Sequence, residues 1–355
     1  MKIAILFDGA SAIAEFPDLQ ILETVEAIER ALLDEGNSVS HVPVRVDGRW
    51  IERLRKGGFD LVFNMCEGID GVAALEQSVI SMIELLGLPF TGSSSFTTGL
   101  CLRKPLANAL LASRGLPVPD FITLRPGEPV RPIGFPAICK PAAEDASIGV
   151  EQRSVVRTRR ALADRVGAMH ERWQNVLVQR YVEGREVNVG IVGDQVLPVA
   201  EIDFSNMPTD KWRIVSYRSK WEVGSDEDTG TVPHCPARLD KSVEAEVRRV
   251  ALAAWRLLGG SGYGRVDLRV DADGQPWILE VNPNPDLAPD AGLARMAAVA
   301  GLDYARLIRT VCELGARRRV DVAEADRLWG LAFKLSGGVD PDAEGDLFDA
   351  ARQAS

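Results

Sequence analysis

Histidine is nearly missing. His41, His170 and His234 are the only three in 355 residues, and none stands at metal-ligand spacing from another. That argues against a zinc site. Cysteine is sparse too. Cys66, Cys101, Cys139, Cys235 and Cys312 are scattered without a CxxC pair, and their odd number points to free thiols in a reducing cytoplasm. No apolar run is long enough to span a bilayer. The opening "MKIAILFDG" turns polar too soon for a signal peptide. An excess of positive charge is also lacking: 41 Lys and Arg face 51 Asp and Glu, for a net charge of −10. This argues against a general nucleic-acid or anionic-membrane binder, although a local basic pocket can still hold phosphate. What remains is an ordinary globular mix, 46% hydrophobic and 26% charged, in a length that suits two or three domains.

The first part alternates strands and helices. "KIAILFDG" is an apolar run closed by Asp-Gly, and "LQILETVEAIERALLDEG" has helical spacing and stops at Gly36. "SVSHVPVRV" and "FDLVFNMCEG" read as strands, and "ALEQSVISMIELLGLP" as a helix ending at Gly87. Such alternation predicts a parallel sheet covered on both faces, over residues 1–95. The Gly/Ser/Thr stretch "TGSSSFTTG" then leads into a helix that stops at Gly115. From Asn175 the pattern changes to strand, Glu-Gly turn, strand, Gly-Asp turn, strand, which is antiparallel. The polar stretch 203–238 reads as a long loop, and loops of that length in compact domains are often lids. "KSVEAEVRRVALAAWRLLGG" is a strong helix, and the hairpin after it turns on Asp-Ala-Asp-Gly.

The second strand of that hairpin ends in "ILEVNPNPD". Proline donates no backbone hydrogen bond and fixes its own φ, so the chain must leave the sheet here. Glu280 and Asn282, two apart, are left on one face at the strand's end. A carboxylate and an amide oxygen converging at a sheet edge suit a hard cation; a plain polar turn is the alternative.

The stretch "GYGRVDLRVDADGQPWILEVNPNP" resembles the metal-binding end of the ATP-grasp fold, and more narrowly the D-alanine–D-alanine ligase family. The likeness extends through "EGREVNV", "CKPAAEDASIGV", "CLRKPLANALLASRGLPVP" and "IELLGLPFTGSS", in the family's order over residues 1–318. It implies an α/β ATP-grasp protein: an N-terminal parallel α/β substrate domain (1–95), a central subdomain (96–185) and a C-terminal subdomain with the metal site (186–318). Two α+β subdomains would sandwich ATP. Residues 319–355 read as a helical extension outside the family core.

The resemblance also assigns roles. Asp267, Glu280 and Asn282 would hold Mg²⁺ (Mn²⁺ being the alternative) against the ATP phosphates. Arg265, two residues before Asp267 on the same strand face, would stabilise the acyl phosphate and tetrahedral species. Lys104 and Lys140 match two phosphate-binding lysines. The loop after Lys140 matches the phosphate lid, with Ser147 and Gly149 retained and Ala146 in place of a serine. Gln179, Arg180, Tyr181 and Val182 would offer backbone groups to adenine, and Glu186 would take the ribose hydroxyls. Lys220 matches a loop lysine that reaches the γ-phosphate.

The departures fall on the substrate half. Glu67 replaces the family's histidine. The first-loop glutamate has no secure partner, since Glu15 needs a shift and Ile13 is the ungapped match. "PDLAPDAG" removes the serine that grips the second substrate's carboxylate and brings Asp286 and Asp290, which would favour an amine or cation there unless they cap the following helix. The expectation is therefore a cytoplasmic ATP-dependent carboxylate–amine ligase acting on small molecules, without nucleic acid or membrane partners and with room for a homodimer. A true D-alanine–D-alanine ligase and a nucleotide-binding module without turnover are the rivals.

Overall fold

The computed structural model describes residues 1–12, 19–131 and 133–318. The expected extension over 319–355, and Ile13 and Glu15 of the first loop, lie outside the described residues.

Strands β1 (Lys2–Asp8), β2 (Ser38–Val44) and β3 (Leu61–Asn64) form a parallel sheet in the order β2-β1-β3. Because side chains alternate along a strand, β1 serves two cores. Ile3, Ile5 and Phe7 pack with Val25, Ile28 and Leu32 of α1 (Leu19–Asp34). Ala4 and Leu6 pack on the other face with Trp50 and Leu54 of α2 (Arg49–Gly57) and with Val79, Ile80 and Ile83 of α3 (Glu76–Leu85). Both faces are covered, as the unbroken apolar run of β1 requires.

Two helices follow. The Gly/Ser/Thr stretch, expected to be a connector, holds the start of α4 (Ser95–Leu102), because the Ser94 side chain accepts from the Thr97 N–H and caps it. The chain breaks at Arg103 and re-enters α5 (Lys104–Ser113). Cys101, Ala107 and Leu111 of this pair belong to the core of the C-terminal sheet rather than to the central sheet beside which the sequence placed them.

The central sheet is antiparallel in the order β4-β7-β5-β6, built from β4 (Phe121–Leu124), β5 (Ala137–Pro141), β6 (Val155–Val156) and β7 (Val176–Arg180). Leu162, Val166 and Met169 of α6 (Arg159–His170) cover it. The C-terminal sheet has six strands, ordered β11-β10-β8-β12-β13 with β9 (Gln195–Val196) paired to β8. They are β8 (Arg185–Val192), β10 (Ala200–Asp203), β11 (Val232–His234), β12 (Tyr263–Val270) and β13 (Pro276–Asn282). Helix α9 (Lys241–Leu257) buries Val247, Val250, Ala254 and Trp255 against one face.

The segment 203–238 is more regular than expected for a loop. It holds α7 (Tyr217–Trp221), α8 (Asp226–Thr229) and strand β11, with Ser216 and Ser225 capping the helices. Helices α10 (Gly292–Val299) and α11 (Tyr304–Ala316) close the fold, and Leu307, Ile308 and Val311 of α11 return to the first core. Among the described residues no helix is long and apolar enough to cross a membrane, and all five cysteines are free thiols.

Candidate active site

The face of the C-terminal sheet opposite α9 is polar, and strand periodicity explains why. On β12, Val266, Leu268 and Val270 enter the core, so Arg265, Asp267 and Arg269 face the other way. On β8, Val187, Val189 and Ile191 are in the core, which turns Glu186 and Asn188 to the same side. The register sets Asp267 opposite Asn188 and Arg269 opposite Glu186. On the other flank Asp267 lies opposite Glu280 and Arg265 opposite Asn282.

Between this face and the central sheet lies a cavity of about 390 Å³. Lys104, Lys140, Ser147, Gln179, Arg180, Tyr181, Val182, Glu186, Lys220, Arg265, Asp267 and Glu280 all line it, so it gathers every predicted site residue except Asn282. The Asn282 Oδ1 instead accepts the Asn284 backbone N–H at 2.8 Å. The register shifts by one residue after Asp267, adding Leu279 to β13 as a bulge, and both Leu279 and Glu280 line the cavity.

Charge is concentrated around Glu280. Burial alone raises its pKa, but Lys104, Lys140, Lys220 and Arg265 outweigh it and hold the carboxyl at about 2. These cations come from α5, β5, α7 and β12. Lys104 is buried; its Nζ donates to Asp145 Oδ1 at 2.5 Å and to the Glu144 carbonyl at 2.6 Å, and lies 3.5 Å from Glu280. Burial would lower its pKa, yet Asp145 and Glu280 raise it. The Lys140 ammonium makes no hydrogen bond or ion pair with the described residues; burial lowers its pKa, Glu280 opposing and Lys104 adding. Arg265 grips Asp267 with two bonds, 2.7 and 2.9 Å, and Asn188 Nδ2 donates to Asp267 Oδ1 at 2.7 Å.

These residues fit a divalent cation held mainly by phosphate. Two cross-strand carboxylates, Asp267 and Glu280, face a cationic cavity, and no cluster of three or more His, Cys, Asp or Glu side chains suited to a metal occurs among the described residues. One or two carboxylates plus phosphate oxygens is the donor set that Mg²⁺ accepts.

The loop after Lys140 bends sharply. Ala146 and Ser147 both have positive φ, 52° and 58°, a conformation costing roughly 1–2 kcal/mol per residue without a compensating contact. The compensation comes from the 203–238 segment: Ser147 Oγ donates to the Val215 carbonyl at 2.9 Å, and Trp221 Nε1 donates to the Ala146 carbonyl at 3.0 Å. Ser147, expected in the phosphate-binding loop, thus ties this loop to the 203–238 segment. Trp212 meets Tyr181 edge to face at 5.2 Å.

The connection from β7 to β8 needs one correction. The N–H groups of Arg180 and Tyr181 bond to the carbonyls of Asp120 and Pro136, so they are not available to a base. The side chain of Gln179 is the polar group left over: it is fully buried, and neither amide heteroatom has a partner within the protein. An unmet buried amide costs on the order of 1–3 kcal/mol, which a ligand with matching donor and acceptor would recover. Gly184, in the turn before β8, has φ of 152°, and a Cβ there would meet the Val270 carbonyl at 2.1 Å.

The substrate end also differs from expectation. Asp286 and Asp290 are exposed and neither lines the cavity. Asp286 accepts the Ala288 N–H at 2.8 Å, and α10 begins after Ala291 without a side-chain cap, so neither acid caps it. From α10, Gly292 and the Arg295 side chain reach the cavity. Nearby, buried Glu76 accepts from Asn284 Nδ2 at 3.1 Å; burial, then Asp145 and Glu67, push its pKa well up, against Asn284 and Lys104. Sequence pattern gave no reason to single out Arg269, Arg295, Glu76 or the side chain of Gln179, since a lone charged residue or amide in a strand or helix reads as surface.

Comparison with known proteins fits this geometry. Residues 110–313 match the family described as "D-ala D-ala ligase C-terminus". The chain is 32% identical over 321 residues to a D-alanine–D-alanine ligase of Dechloromonas aromatica, covering 89% of this chain and 98% of that one. It is also 32% identical over 263 residues to the uncharacterized protein y4sG of Sinorhizobium fredii, covering 73% of this chain and 75% of that one. Its fold is that of a D-alanine–D-alanine ligase from Bacillus anthracis complexed with ATP, with a TM-score of 0.73 at 22% identity over 90% of this chain and 98% of that one.

Proposed function

The chain belongs to the D-alanine–D-alanine ligase family of ADP-forming ATP-grasp enzymes, and from that premise we propose that it joins an amino-acid-like carboxylate to an amine other than D-alanine. The observation that carries the chemistry is the convergence of Lys104, Lys140, Lys220 and Arg265 on Glu280. Four cations from four distant segments around one strand-end carboxylate make a polyphosphate site.

A carboxylate is a poor electrophile, so amide formation requires its prior conversion to an acyl phosphate with loss of ADP. Lys140 and Lys220, near Glu280 but in no direct ion pair, neutralise the transferred phosphoryl group, and Lys104 exchanges its contact with Asp145 for phosphate oxygen. Preorganised charge of this kind supplies most of the catalysis in phosphoryl transfer. Asp267 and Glu280, with Asn282 if its side chain turns from the Asn284 N–H, would hold a divalent cation, Mg²⁺ by donor type, which would supply further neutralisation of phosphate charge. Arg265 faces the acyl carbon, where oxyanion charge develops as the amine attacks and phosphate leaves. Gln179 and the Val182 N–H receive the base, and Glu186 the sugar hydroxyls. The segment 203–238, fastened to the phosphate loop through Ser147 and Trp221, keeps water from the intermediate. No described helix spans a membrane, and small polar substrates suit a cytoplasmic enzyme.

The acceptor end supports a different second substrate. Glu67 replaces a histidine, the carboxylate-gripping serine is absent, and Arg295 brings a cation to the cavity from α10. A screen of ADP release with pairs of amino acids and small acids tests this reading. ADP release that requires both an acid and an amine supports it. Nucleotide binding without turnover by any pair returns the chain to the role of a binding module.

A further inference from the structure

Arg269 has no role in the mechanism above, yet every donor of its guanidinium is engaged. It is 3% exposed and lines the nucleotide cavity from β12, two residues beyond Asp267. All five of its N–H groups are engaged. Nε and one terminal nitrogen donate to Glu186 Oε2 at 3.2 and 2.8 Å. The other terminal nitrogen donates to the Tyr181 hydroxyl at 3.1 Å and the Val182 carbonyl at 3.2 Å, and the fifth N–H goes to the Arg213 carbonyl. The ring of Tyr181 lies beneath it at 5.0 Å.

Two features go beyond a structural ion pair. Both bonds to Glu186 fall on one oxygen, so Oε1 keeps its lone pairs for a ligand while the rotamer is fixed. The remaining bonds hold Tyr181 and Val182, the residues that frame the base, and Arg213 of the segment that covers it. A single planar fork therefore sets the relative positions of the sugar acceptor and the base-binding connection. Lysine cannot do this, because an ammonium has three donors and no fixed plane.

We propose that Arg269 is a positioning residue for the nucleotide, presenting the Glu186 carboxylate to the ribose hydroxyls in fixed register with Tyr181 and Val182. It acts through Glu186 and makes no contact with ATP, since it has no donor left. The inference rests on the reading that Glu186 receives the ribose, and the test separates the two.

The test compares ATP with 2′,3′-dideoxy-ATP as phosphoryl donors for the wild type, Glu186→Gln, Arg269→Met and Arg269→Lys, measuring KM and kcat for ADP release. The wild type should prefer ATP by about tenfold or more in kcat/KM, equivalent to about 1.4 kcal/mol. Arg269→Met should lose that preference through KM, with kcat at saturating ATP little changed. Arg269→Lys, which keeps the charge should the methionine variant fail to fold, should lose it in part. A merely structural arginine would lower thermal stability and both nucleotides' rates alike, leaving the ratio intact. Loss of the ratio in both Glu186→Gln and the Arg269 variants supports the proposal. Loss in Glu186→Gln alone, or a wild-type ratio in either folded Arg269 variant, overturns it and leaves the ribose reading standing. An unchanged ratio in Glu186→Gln overturns both.

Discussion

One carboxylate among four cations defines the chemistry at the residue scale. Replacing Glu280 by Gln keeps the shape and removes the charge that a bridging divalent cation needs. Turnover should fall by at least the roughly 10- to 100-fold that outer-shell changes cost at metal sites, with the circular dichroism spectrum unchanged. Near-normal ADP release by the folded variant would take Glu280 out of the metal site. Glu76 supports a second prediction. Its carboxyl is held well above the ordinary 4.5, chiefly by burial. Its stabilising contribution is complete below that value and is lost as pH rises through the folded value. Stability of the wild type should therefore decline relative to Glu76→Gln by up to about 1.4 kcal/mol per pH unit above pH 4.5. Parallel denaturation midpoints for the two proteins across pH 5 to 8 would show that Glu76 ionises freely. Arg265, Asp267 and Glu280 were legible in the sequence because the family resemblance named them; alternation along β12 and the pairing with β13 then put them on one sheet face. The bulge at Leu279 was not, because a one-residue register shift leaves no mark on composition. Arg269 was hidden because a charged residue at an alternating position reads as solvent-facing, whereas here that face looks into a closed cleft.

At the scale of elements, the segment 203–238 is where sequence and structure differ most. Its polarity suggested an irregular loop, but serine caps and pairing of β11 with β10 give it two short helices and a strand. Short elements capped by Ser within polar sequence carry no apolar periodicity, so the pattern could not reveal them. Trp221 and Ser147 tie this segment to the loop after Lys140, and Trp212 packs on Tyr181. Trypsin cleavage at Lys211, Arg213, Arg218 or Lys220 should slow several-fold when a non-hydrolysable ATP analogue and Mg²⁺ are added, since ordering a lid suppresses its local opening. Cutting at an unchanged rate would remove the lid from the account. The α/β alternation of the first 95 residues was readable because buried parallel strands are continuous apolar runs. Helix α4 was not, since Ser, Thr and Gly dominate it and only the Ser94 cap sets its start.

Across the whole molecule, the residues expected of the nucleotide half line one cavity, Asn282 excepted, whereas Asp286 and Asp290 of the acceptor half do not. Phosphate demands cations wherever it binds, while a second substrate is free to differ. Sequence located the difference at "PDLAPDAG" but mistook its sign, because the aspartates turn to solvent and Arg295 enters from α10 instead. Loss of the serine's charge-assisted hydrogen bond costs on the order of 1.5–3 kcal/mol, roughly 10- to 150-fold in binding a second D-alanine. The most direct measurement is kcat/KM for ADP release with D-alanine alone, set beside a panel of other acid and amine pairs, with the amide product identified by mass. On the proposed reading, another pair exceeds D-alanine by at least about tenfold, within the range that one lost hydrogen bond commands. D-alanyl-D-alanine formed faster than every other product would contradict it.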